Sequence, residues 1–131
     1  MRKTTFLAAV VLTGLCAPVY AHHSFAAFDQ TRKVEISGVV QEFQYTNPHS
    51  WLMVSMEKEG GGTEVWSIEM LSPSVLSRMG WKKNTLKPGD KVKATINPVK
   101  DGSPGGNMVS IVRSDGARIG GPMEWSGSLV A

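Results

Sequence analysis

The chain has 131 residues, 41% of them hydrophobic and 19% charged, with a formal net charge of +3 and one cysteine, Cys16. That is enough for one single-core domain and no more. A lone cysteine excludes a scaffold built on internal disulfides.

Residues 1–21 read as a cleaved secretory signal. Arg2 and Lys3 precede the apolar run Phe6 to Leu12, and Ala17 to Ala21 supplies small or β-branched residues before a cut after Ala21. The run is too short to cross a bilayer, which takes about 20 apolar residues. Leu15 before Cys16 argues against a lipidated cysteine. Cleavage removes the only thiol and lowers the net charge from +3 to +1, because two cations leave and every carboxylate stays. The mature chain of about 110 residues is therefore expected in the periplasm or outside the cell, with no membrane insertion. Its near-neutral charge argues against nucleic acid as a partner.

Residues 22–32 form an arm without a sustained period. From Lys33 the pattern is β, with Val34, Ile36 and Val40 on one parity, Val39 and Phe43 on the other, and Gly38 as a bulge. Ser50 to Met56 is almost continuously apolar, which predicts a strand covered on both faces. Glu57 to Gly62 reads as a hairpin loop and Thr63 to Glu69 as the returning strand. A helix comes next, with Ser72 as N-cap, Pro73 at its first position and Gly80 as its stop. Leu86 to Asp90 turns into an alternating strand, Val92, Ala94 and Ile96 against Lys91, Lys93 and Thr95. After a loop at Asp101-Gly102, Met108 to Arg113 is the last strand, and 114–131 is a loose, Gly-rich tail. Five strands with one short helix between the third and fourth give an all-β, OB-like five-stranded barrel over 33–113. An immunoglobulin-like sandwich would need about seven strands and has no place for the helix.

Several stretches carry a resemblance: His22-His23-Ser24-Phe25, Asn47-Pro48-His49-Ser50-Trp51, Trp66-Ser67-Ile68-Glu69, Gly80-Trp81 and Leu86-Lys87-Pro88-Gly89-Asp90. The chain resembles a family of small exported bacterial proteins of unknown function. The resemblance implies no established activity, so the residues themselves carry the functional reading.

His22, His23 and His49 are the only histidines. A cut after Ala21 makes His22 the mature N-terminus, whose α-amine titrates at about 7.7–8.0 and yields its proton readily to a metal. Amine and imidazole of one residue form a chelate. A second imidazole completes a three-nitrogen set, a histidine brace, suited to Cu(II). His49 is the histidine outside the arm that could close it, and His23 could add to the set. The competing reading makes the arm histidines a polar flank and His49 a turn residue after Asn47-Pro48. Zinc would want a fourth ligand, for which Glu69 is a candidate.

On a strand, His49, Trp51 and Met53 share a face, and thioethers favour Cu(I). Small periplasmic copper chaperones of efflux systems combine an OB-like barrel with a His, Trp and Met site. This arrangement is similar in kind, although Met and Trp on a strand are usually core. Lys82, Lys83, Lys87, Lys91 and Lys93 cluster near Trp81, which reads as a solvated face. No zinc-protease, phosphate-loop or nucleophile pattern occurs, so no catalytic residue is predicted. The sequence thus leaves two readings: a copper-handling protein, or an envelope interaction module that holds no metal.

Overall fold

A computed structural model describes residues 25–114, 116 and 119. The leader and the arm histidines His22 and His23 lie outside them. Five strands, β1 (Val34–Gln44), β2 (Trp51–Glu57), β3 (Thr63–Glu69), β4 (Lys91–Pro98) and β5 (Gly105–Arg113), close into a barrel in the order β1-β2-β3-β5-β4. A single helix, α1 (Pro73–Arg78), lies between β3 and β4. This is the OB-like architecture expected from the element order.

β1 is antiparallel to both β2 and β4, β4 is antiparallel to β5, and β3 meets β5 in a short parallel pairing. Ile36, Val40, Leu52, Val54, Ile68, Ala94, Ile96 and Ile111 fill the interior, with Leu76 of α1, Trp81 and Leu86 packed among them. The alternation of β4 is observed as read, Val92, Ala94 and Ile96 inward and Lys91 and Lys93 outward. It ends where the register shifts between Thr95 and Ile96, after which Asn97 and Pro98 are buried as well.

Four details differ from the sequence reading. The bulge in β1 lies between Val40 and Glu42, not at Gly38. Gly38 instead sits where β1 passes close over β2, since a Cβ there would come 2.2 Å from the Ser55 carbonyl oxygen. β2 is not covered on both faces: Leu52 and Val54 are buried, whereas Trp51, Met53 and Ser55 on the outer face are only half-buried. The last strand begins three residues earlier than expected, at Gly105. Finally, Ile119 in the tail is buried and donates its amide to the Ile111 carbonyl, so that residue packs on the barrel.

The arm is also held at its root. Phe25–Ala27 forms a 3-10 turn, Phe28 bridges to Val99, and the Asp29 amide donates to the Pro98 carbonyl at 2.8 Å. Two buried asparagines secure the arm between Gln30 and Arg32. Asn97 donates its side-chain amide to the Arg32 carbonyl at 2.7 Å, and Asn107 Oδ1 accepts from Gln30 at 3.4 Å.

Candidate functional site

His49 lies two residues before β2, and its neighbour Ser50 explains its placement. Ser50 is fully buried, its amide donating to the Leu71 carbonyl and its carbonyl accepting from the Met70 amide. The chain reaches Ser50 through a turn in which the Thr46 hydroxyl donates to the His49 carbonyl at 3.2 Å. At the end of β1, the Tyr45 hydroxyl donates to the Pro73 carbonyl at 2.8 Å, which ties this end of the barrel to α1.

The register of β2 and β3 sets Trp51 opposite Glu69. The Glu69 carboxylate thereby meets the Nδ1 of His49 in close contact. The Glu69 side chain is 12% exposed and that of His49 is 39% exposed, so the pair is held at the surface with the carboxylate on its inner side. An ionised carboxylate only accepts, so in the neutral ring the proton belongs on Nδ1 and the lone pair on Nε2. This is the arrangement by which carboxylates orient metal-ligating histidines.

The structure relates the predicted residues unequally. It joins His49 to Glu69, whose carboxylate lies against Nδ1 of the ring. Trp51 and Met53 do share the outer face of β2 with each other, both half-buried. His49 itself lies outside β2, so the strand's alternation does not assign it to that face. Among the described residues, no three histidine, cysteine or acidic side chains are grouped so as to hold a metal. A metal held by His49 would draw its other ligands from outside the described residues, where His22 and His23 lie.

Sequence reasoning missed Gln30 and Asn107. Asn107 stands in register with Glu69 on the neighbouring strand, so the contact with Gln30 fastens the arm one strand away from Glu69. The lysine-rich stretch keeps its solvated reading. Trp81 is 1% exposed and packs against Phe43 with ring centroids 5.9 Å apart, so its indole is no stacking platform for a base.

Comparison with known proteins adds the family. No curated protein matches the chain. Among solved structures, the mitochondrial single-stranded DNA binding protein Rim1 of S. cerevisiae is similar at 15% identity, over 63% of this chain and 94% of that one, with a TM-score of 0.46. A likeness that distant carries no argument about function. The profile of a family of unknown function, DUF6152, matches residues 9–108. Spanning most of the sequence, that match means that the chain belongs to the DUF6152 family.

Proposed function

We propose that this is an exported periplasmic protein that binds copper through its mature N-terminus, with the α-amine and imidazole of His22 and Nε2 of His49 as ligands and His23 as an accessory donor. The observation that carries the reading is the contact between Glu69 and His49 Nδ1. It supports a half-exposed imidazole with one nitrogen committed to a carboxylate and the other left basic, which is what a neutral ligand requires.

The anchoring of the arm supports the same reading. Gln30 is fastened to β5, and β2 is two places from β5 around the barrel, about 10 Å at the usual strand spacing. Residues 22–24, ahead of the Phe25–Ala27 turn, can extend at most about 10 Å. A short tether of this kind raises the local concentration of the His22 chelate near His49. Bound Cu(II) would supply a Lewis-acidic, redox-active centre, and the His22 amine and the imidazoles would hold it as nitrogen donors. The residues of the chain place those donors and keep His49 in one tautomer.

The test is a Cu(II) titration of the correctly processed protein, followed by calorimetry and electron paramagnetic resonance. One-to-one binding is expected, with a spectrum of nitrogen ligation. It should be weakened by a single extra residue before His22 and lost in both His22→Ala and His49→Ala. Equal binding by the processed and the extended forms would exclude the amine. Absence of binding would leave the second reading, an envelope interaction module.

A further inference from the structure

Charge is divided unevenly around this barrel. β1, β2 and β3 carry Glu35, Glu42, Glu57, Glu64 and Glu69 with no lysine or arginine. Between positions 78 and 93 the balance reverses. Arg78, Lys82, Lys83, Lys87, Lys91 and Lys93 are all exposed, and Asp90 is the one acid among them.

The fold draws most of these cations together at one end of β4. The Thr85 carbonyl accepts from the Arg113 guanidinium at 2.7 Å, and Arg113 stands in register with Val92, so the Lys82–Thr85 turn lies beside β4. The Lys87–Asp90 turn is joined to β1, Gly89 donating to the Val40 carbonyl and Val40 to that of Asp90, each at 2.8 Å. The Asp90 carboxylate accepts from the Lys87 backbone amide at 2.9 Å.

A shallow groove of about 360 Å³ opens within this basic region. Ser37 and Ser114 contribute short side chains and Gly38 its bare backbone, Lys91 and Lys93 line it from β4, and Val39 adds an apolar wall. Val39 is 38% exposed on a stretch of β1 whose other outward residues, Glu35 and Ser37, are polar. Lys93 lies 3.4 Å from Glu35, whereas Lys91 makes no ion pair among the described residues. The groove contains no aromatic platform, which disfavours a nucleic-acid base. Its concavity suits an inserted side chain better than a flat bilayer.

We infer that this groove docks an acidic segment of a partner protein. The segment seats one bulky apolar side chain against Val39, and its flanking carboxylates meet Lys91 and Lys93. The positive field of the surrounding lysines steers such a segment and fixes its register. This site is separate from His49 and does not depend on the copper reading.

The test is a heteronuclear NMR titration of the mature protein with the peptide Glu-Glu-Trp-Glu-Glu, with Glu-Glu-Gly-Glu-Glu and anionic phosphatidylglycerol vesicles as comparison ligands. Shifts confined to Ser37–Val39, Lys91–Lys93 and Ser114 are expected with the tryptophan peptide. They should weaken about tenfold or more in the double variant Lys91→Glu, Lys93→Glu and fall as salt is raised. Both lysines are exposed, so an unchanged melting temperature checks that the variant is folded. Equal binding of the two peptides, binding indifferent to the charge reversal, shifts elsewhere, or capture by vesicles but not by peptide would each overturn the proposal.

Discussion

At His49 the fold makes two chemically similar ring nitrogens unequal. Glu69 takes Nδ1, and the half-exposed ring leaves Nε2 for solvent or a ligand. Glu69→Gln replaces a charged acceptor with a neutral one, which weakens the preference for the Nδ1–H tautomer. Nitrogen-15 chemical shifts of the His49 imidazole should show a predominant Nδ1–H form in the metal-free protein and a mixed population in the variant. Cu(II) affinity should fall about 10- to 100-fold with it. A variant whose tautomer is unchanged would remove Glu69 from this role whether or not copper binds. His49 was legible in the sequence, because three histidines leave few choices. The role of Glu69 was not, since it lies 20 positions away and meets the ring only through the β2–β3 register.

The arm is the element on which the functional reading depends, and Asp29 organises its root. The hydroxyl of Thr31 and then its amide donate to the Asp29 carboxylate, at 2.6 and 3.0 Å, with Arg32 and Lys100 adding weaker attraction. These bonds hold the Asp29 carboxyl below the ordinary carboxylate value. A depressed folded-state value means that the turn is stabilised above the unfolded value of 3.8 and loses that contribution as pH falls below it. The protection factors of the Thr31 and Arg32 amides, each observed rate taken against its intrinsic rate at the same pH, should fall below pH ~4 in the wild type and be low already at neutral pH in Asp29→Ala. Protection factors unchanged across that range in the wild type would show that the arm is held by its backbone bridges alone. The arm's lack of period was visible in the sequence, but its attachment was not. The partners that hold it, Pro98, Asn97 and Asn107, belong to β4 and β5, about 70 residues downstream.

For the barrel as a whole, closure is the decisive event, and it rests on two adjacent glycines. Gly105 and Gly106 begin β5, where Ser67, Ile68 and Glu69 of β3 pair with Gly105, Gly106 and Asn107. A Cβ at Gly106 would lie 2.3 Å from the Asn97 carbonyl oxygen, and one at Gly105 would lie 2.9 Å from that of Ser67. Backbone atoms of this kind cannot step aside cheaply. Gly106→Ala should therefore destabilise the protein by about 1–3 kcal/mol or more in urea unfolding, with the greatest loss of amide protection along the β4–β5 ladder beside Asn97. A neutral effect would mean that the barrel can close without this close approach.

The sequence by itself determined the order of the elements, the inward residues of β4 and the limits of α1, because those depend on local periodicity, proline and glycine. It also marked His49 through the scarcity of histidines, and it marked the lysine cluster. Tertiary structure alone decided the rest. The bulge after Val40 moves Phe43 against the core on the parity opposite to Val40, and the Gly105-Gly106 pair, which reads as loop, becomes the start of the strand that closes the barrel along β3. The Glu69–His49 contact, the anchored arm and the groove between β1 and β4 likewise join residues distant in the chain. The physical reason is the same in each case: a strand's own pattern states which face is apolar, whereas its partner and register are set by how five strands share one closed interior.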